Sequence, residues 1–372
     1  MQAWKRIVGG ALALLAALAL AAPGARAQAP APAPAPAPTP AQAVPAALAF
    51  HFDFALAKLV SQAVRAGQLD EQAAAAIRPL PGAAAMVRKM HLKDGDALIA
   101  YFRAQLKNPA LVEAAGPVAG ELARTDGGKY AQVGALVARQ LAEYVPARFA
   151  ATLNVYFIFG GNAGGFAFDD VADDVYVNLA VLAQASPQEL AELVAHELFH
   201  AVQNHVMAPP PRPPAGAAPA GTGLIWFNRL LYDLEQEATA ELFTHRIAER
   251  PESAYSRRGL ARIARNGARM KGVVAMVETV GLRLLYAPPA DEDQYERIYG
   301  LLFYGSFDEM AYDLGWIMAK AIETKDGRPA IFALLQAPPK RFVLRYEELA
   351  AADPALPQLS EEFLRVVRRL PD

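Results

Sequence analysis

The chain has 372 residues, 36 Lys and Arg against 38 Asp and Glu, and no cysteine. Nearly balanced charge without a basic stripe argues against nucleic acid as a partner. The lack of cysteine excludes a disulfide scaffold but leaves export open, because a chain this long can bury enough apolar surface without cross-links.

Trp4-Lys5-Arg6 is a positive start, Ile7 to Ala22 an apolar stretch, and Ala25-Arg26-Ala27 a small-residue cleavage site. Together they have the pattern of a secretory signal peptide over residues 1–27, removed before Gln28. The apolar stretch is short of the roughly 20 residues that span a bilayer, and Pro23-Gly24 breaks it. No later run would span a bilayer, so the mature protein is expected in the periplasm or outside the cell, without stable membrane insertion after cleavage. Residues 28–47 are rich in alternating Ala and Pro, a composition that favours an extended polyproline linker.

From Phe50 to Tyr144 apolar residues recur at helical spacing, interrupted by Pro79-Leu80-Pro81-Gly82 and Gly127-Gly128, which predicts a helical N-terminal lobe over residues 48–150. His51 and His91 stand alone in it and are read as surface or core residues. Val155-Tyr156-Phe157-Ile158-Phe159 then reads as a buried strand closed by the glycine-rich stretch Gly160 to Gly165. Two short strands, Phe166 to Phe168 and Val175 to Leu179, complete a small antiparallel sheet. The glycines read as a plain hairpin rather than a phosphate cradle, because no helix N-terminus with a Lys follows them. An edge strand here could pair with an extended peptide, or the sheet could be purely structural.

Ser186-Pro187-Gln188-Glu189 is a capping box with Pro at the first helical position, opening a helix from about Pro187 to Val206. This helix carries His196-Glu197-Leu198-Phe199-His200. Histidines four apart share one helical face, so both imidazoles can reach one Zn²⁺, with Glu197 beside them to take a proton from a metal-activated water. Leu190, Leu193, Val194, Leu198, Ala201 and Val202 make the helix largely buried, and a metal would relieve the cost of burying the histidines. The Pro/Ala/Gly loop at 208–223 has no packing signal and reads as disordered, or as a gate to a cleft.

A catalytic zinc normally takes three protein ligands. The metzincin extension would need Gly at position 203 and His at position 206, where this chain has Gln203 and Val206. His205 is one residue out of register. A carboxylate from the next helix, Leu224 to Arg250, is the other source, and Glu237 and Glu241 lie four apart on or beside its apolar face. Glu235 projects well away from these two and is read as a surface residue answering Arg246 or Arg250.

These residues resemble the gluzincin clan of zinc metallopeptidases, in which H-E-x-x-H on one helix is completed by a Glu on a following one. Glu237-Ala238-Thr239-Ala240-Glu241 is similar to the E-G-x-A-E signature of several bacterial zinc-dependent peptidase families of that clan, with Ala238 in place of the usual glycine. The resemblance implies Glu237 as third ligand, and Glu241, one turn on, as support for a ligand histidine. Ser306-Phe307-Asp308-Glu309 reads as a second capping box, opening a helix through Tyr312, Gly315 and Trp316 to about Thr324. Tyr312 and Gly315 look like the Y-x-x-G pair that brings a Tyr to the zinc cleft in related families, where it would donate a hydrogen bond to the developing oxyanion. A core Tyr is the other reading. Tyr304 and His245 are weaker candidates for the same role.

The expected fold is α+β and predominantly helical, with a gluzincin-like zincin core over residues 151–372, a small antiparallel sheet and the helical N-terminal lobe. The expected function is that of an exported zinc peptidase, with Zn²⁺ on His196, His200 and Glu237, Glu197 and Tyr312 in the chemistry, and a peptide or protein as substrate. The alternatives are a zinc hydrolase of a non-peptide amide or ester, and a non-catalytic periplasmic zinc-binding scaffold.

Overall fold

The computed structural model describes residues 48–168, 170–214, 221–249 and 252–372. The expected signal peptide, the Ala/Pro linker and part of the 208–223 loop lie outside these residues. Strand β1 (Leu48–Asp53) precedes six helices, α1 (Ala55–Ala66), α2 (Glu71–Ile77), α3 (Pro81–Lys89), α4 (Gly95–Gln105), α5 (Pro109–Leu122) and α6 (Val133–Leu141). Three strands follow, β2 (Ala151–Ile158), β3 (Gly165–Phe168) and β4 (Val171–Asn178), and then α7 (Pro187–Val206) and α8 (Gly223–Glu249). The rest is helical: α9 (Ala254–Ala268), α10 (Met270–Tyr286), α11 (Glu292–Phe303), α12 (Met310–Asp326), α13 (Arg328–Leu334), α14 (Lys340–Ala352) and α15 (Glu361–Arg369).

The strands lie in the order β1-β2-β4-β3. β1 pairs with β2 in parallel, β2 with β4 in parallel, and β3 with β4 antiparallel. The sheet is therefore mixed and four-stranded, which corrects the small antiparallel sheet expected from sequence. The physical reason is that β3 folds back as a short hairpin partner, so β4 runs in the direction of β2 and takes the place between β2 and β3. A parallel pair needs a long crossover, and α1 to α6 supply one between β1 and β2. β1 occupies the start of the segment expected to be helical. Its period-two Leu48, Phe50 and Phe52 pack on the core, which is strand rather than helix spacing.

Phe157, Ile158 and Phe159 are buried in succession, as are Val175 to Asn178. Consecutive buried residues mean that both faces of the sheet are covered here. α1 and α3 pack on β2, while α7 packs on β2, β3 and β4. The capping box at the start of α7 is complete: the Glu189 N–H donates to Ser186 Oγ at 3.2 Å and the Ser186 N–H to Glu189 Oε2 at 2.9 Å. The other oxygen of Glu189 accepts the Ser253 N–H at 2.9 Å, which ties the first turn of α7 to the cap of α9. From Glu189 to Gln203 every residue of α7 is buried.

α8 packs against α7, α10 and α12, burying Phe227, Leu230, Leu231, Leu234, Ala238 and Leu242. At its crossing with α12, a Cβ on Gly315 would stand 2.8 Å from Ala238 Cβ, so the two helices meet more closely than any larger residue at 315 allows. The start of α12 differs from expectation. Gly305–Phe307 forms a 3₁₀ turn, and Asp308 and Glu309 follow with φ of 63° and 47°. Ser306 caps nothing, because the acids of its apparent capping box turn to α9. Arg265 and Arg269 donate to Asp308 at 2.9 and 2.6 Å, and Arg262 donates to Glu309. These ion pairs hold two left-handed residues of a kind that costs roughly 1–2 kcal/mol each. No helix among the described residues is long and apolar enough to cross a membrane.

Candidate metal centre

His196 and His200 present their Nε2 atoms to each other at 3.1 Å. Glu237 Oε2, from α8, lies 3.6 Å from the first and 3.4 Å from the second. This oxygen is buried and has no hydrogen-bond partner among the described residues, an arrangement that costs free energy unless a cation satisfies it. Two donors held tetrahedrally about 2.0–2.1 Å from one Zn²⁺ stand roughly 3.3–3.4 Å apart, so the three separations fit a zinc ion. Two imidazoles and one carboxylate are also the donor set of a catalytic rather than a closed site. His205, by contrast, points to β4, with its Nε2 2.7 Å from Asp173 Oδ1.

The charges around the three donors respond to this crowding. Burial opposes ionisation of Glu237, yet His200 and His196 beside it hold its carboxyl well below the usual range. Burial likewise works against a charged His200, but Glu237 pulls the imidazole up to about 9. Glu197 is raised by burial, against the pull of His196 and His200. Its carboxylate lies against the backbone of β3, where a Cβ on Gly165 would sit 2.3 Å from Oε1.

A second ring of contacts orients the imidazoles. His200 Nδ1 meets Gln203 Oε1 at 2.7 Å. His196 Nδ1 lies 3.3 Å from Thr244 Oγ1, whose hydroxyl donates to Glu241 Oε2 at 2.9 Å. Glu241 thus reaches His196 through Thr244 rather than directly. Gln203 enters the sequence argument only as the residue that breaks the metzincin pattern, and Thr244 not at all. The available signal is helical spacing, since Gln203 follows His200, and Thr244 follows Glu241, by three positions on one face.

The donors open into a cleft of about 1200 Å³ lined by β3 and its glycine-rich approach, α7, α8, α9, α11 and Tyr312. Burial and the carboxylates of Glu237, Glu309, Glu241 and Glu197 push the Tyr312 phenol well above its ordinary value, so it stays protonated. Tyr304 stands on the exposed rim, donating to Glu296 at 3.2 Å. His245 lines the cleft, stacks on Trp316 at 3.6 Å between ring centroids, and is pushed down to about 4 by burial. Glu235 corrects the sequence reading: it is fully buried, both oxygens lack partners among the described residues, and burial raises its carboxyl well above the usual range. His51 and His91 are exposed.

A family model described as "Putative zinc dependent peptidase (DUF5700)" matches residues 122–355. The chain belongs to this family. The zinc dependent peptidase match spans more than half of the chain and contains β2 to α14, with all three donors and Glu197. Residues 48–121 and helix α15 lie outside it. No curated protein and no solved structure matches the chain.

Proposed function

We propose that the chain is an exported gluzincin-like zinc peptidase whose centre is His196, His200 and Glu237. The observation that carries the reading is the convergence of these three donors at the spacing of a zinc tetrahedron, with Glu197 beside them and in a family described by zinc dependence. When bound, zinc would polarise a substrate carbonyl and bring the pKa of a water towards neutrality.

The protein's own groups do the rest. Glu197 takes a proton from the attacking water at its carboxylate and returns it to the departing amine. Its position against Gly165 faces it into the cleft. The protonated Tyr312 hydroxyl donates to the oxygen that gains charge on the attacked carbonyl. Gln203 supports His200, and Thr244 with Glu241 supports His196. The edge strand β3 gives an extended peptide substrate a row of main-chain partners along the cleft. Export rests on the signal-like residues 1–27, with the mature chain starting at Gln28 in the periplasm or outside the cell. Residues 48–150 would form the N-terminal lobe.

The test is Glu197→Gln in protein of measured zinc content, assayed on a peptide that a library screen shows the native chain to cleave. Zinc should stay bound and hydrolysis should fall by roughly 10²–10⁴. A variant cleaving at the native rate would overturn the mechanism, and a native chain that turns over only non-peptide amides or esters would overturn the peptidase assignment. Zinc binding without any turnover would leave the scaffold alternative.

A further inference from the structure

Gln203 is fully buried where the two helices that carry the donors meet. Its role follows from which of its atoms can donate. Nε2 lies 2.7 Å from the main-chain carbonyl oxygen of Gln236. A carbonyl only accepts, so the NH₂ end of the amide must face α8. Its second N–H goes to Thr239 Oγ1 at 2.8 Å, a hydroxyl whose own hydrogen is given to the Glu235 carbonyl at 2.9 Å. Oε1 is left to face His200 Nδ1 at 2.7 Å. Amide oxygen also only accepts, so Nδ1 must carry a ring hydrogen. An imidazole that ligates zinc is neutral and has one N–H, which leaves Nε2 bare on the side where Glu237 Oε2 and His196 Nε2 converge.

We infer that Gln203 is a positioning residue for the metal centre with two separable duties. Through its oxygen it fixes the ring of His200 so that Nε2 is the metal donor. Through its nitrogen it registers α7 against the turn of α8 that carries Glu237, since Gln236 and Thr239 flank that ligand. Only an amide does both. A carboxylate at 203 would turn a second acceptor towards the Gln236 carbonyl, and an aliphatic side chain would leave Nδ1 with no partner in a buried site. The inference rests on the zinc reading proposed above.

The test compares Gln203→Leu and Gln203→Glu with the native chain, labelled at histidine nitrogen and loaded with zinc. In the native protein the Nδ1 hydrogen of His200 should exchange slowly with solvent. Gln203→Leu should remove that protection and lower zinc affinity, measured against a competing chelator, by roughly 10–100-fold, the range for loss of a hydrogen bond behind a ligand histidine. Gln203→Glu keeps the acceptor and loses the donor, so protection and affinity should stay within a few-fold of native while the melting temperature falls. The inference is overturned if Gln203→Leu keeps native affinity and a protected ring hydrogen, or if Gln203→Glu loses zinc as fully as Gln203→Leu. Should Gln203→Leu not fold, Gln203→Met, which keeps the side-chain length, takes its place with the same two outcomes. A native chain that takes up no zinc defeats the zinc reading alone, and protection of the His200 hydrogen across the variants then decides the inference.

Discussion

Gly165 and Glu197 share a space with room for only one side chain: a Cβ on Gly165 would stand 2.3 Å from Glu197 Oε1, 2.6 Å from Cδ and 2.7 Å from Cγ. Gly165 does not have a positive φ, so alanine is acceptable to the backbone, and the three nearest atoms its Cβ would meet all belong to the Glu197 side chain. Gly165→Ala should therefore displace Glu197 while sparing the fold and the three donors. Zinc stoichiometry should be unchanged and peptide hydrolysis should fall towards the level of Glu197→Gln, by up to roughly 10²–10⁴. Zinc content and turnover measured on the same preparation check this, and native turnover would show that Glu197 does not need that place.

Glu237 Oε2 is the α8 member of the group of three that could hold a metal ion. Glu237→Gln should weaken zinc binding by more than the roughly 10–100-fold typical of losing a supporting hydrogen bond. His205→Ala, which removes contacts with Asp173 and Phe149 and none with the three donors, should leave zinc affinity unchanged. Chelator competition on both variants checks the contrast.

His245 gives the fold a pH dependence of definite sign. Its folded value of about 4 lies below the ordinary histidine value near 6.5, so the unfolded chain binds the proton more tightly. The stability associated with neutral His245 is fully present above pH 6.5 and is lost progressively as pH falls towards 4. Between pH 7 and pH 5 this amounts to roughly 2 kcal/mol. His245→Phe, which keeps an aromatic ring against Trp316, should flatten that part of the profile. Urea unfolding of the native chain and the variant at the two pH values measures the difference.

Glu235 is a buried carboxyl with neither oxygen hydrogen-bonded among the described residues. Glu235→Met, similar in length and apolar, should stabilise the protein by about 1–3 kcal/mol, the usual cost of an unsatisfied buried polar group. Zinc affinity should not change. A melting temperature equal to or below that of the native chain would show that Glu235 has a partner in solution.

The parts of this fold legible in the sequence are those set by local chemistry. Ser186 and Glu189 mark the start of α7, and the spacing of His196, Glu197 and His200 marks the candidate metal site, because a cap and a four-residue repeat are written within one helix. β1 was not legible as a strand. Its partner β2 is reached only after six helices, and six residues of alternating pattern carry little weight beside a long helical stretch. The direction of β4 depends on where β3 folds back, which no single strand encodes. Glu235 looked solvent-facing because its neighbours on α8 are mixed, and its burial comes from helices packed around α8. Gln203 and Thr244 acquire their meaning only once α7 lies on α8.

At the crossing of α12 and α8 the methyl group of Ala238 fills the space that a Cβ on Gly315 would enter, 2.8 Å from Ala238 Cβ and 3.1 Å from its Cα. The two positions should then vary as a pair: a Gly at 238 removes the closest contact of an Ala at 315 and leaves only the 3.1 Å approach to the backbone, whereas Ala at both would push α12 and α8 apart. Conservation scored column by column would treat each site as tolerant, although the tolerated state belongs to the pair. Joint statistics over homologues, or Ala238→Gly placed in a Gly315→Ala background, would reveal this hidden constraint.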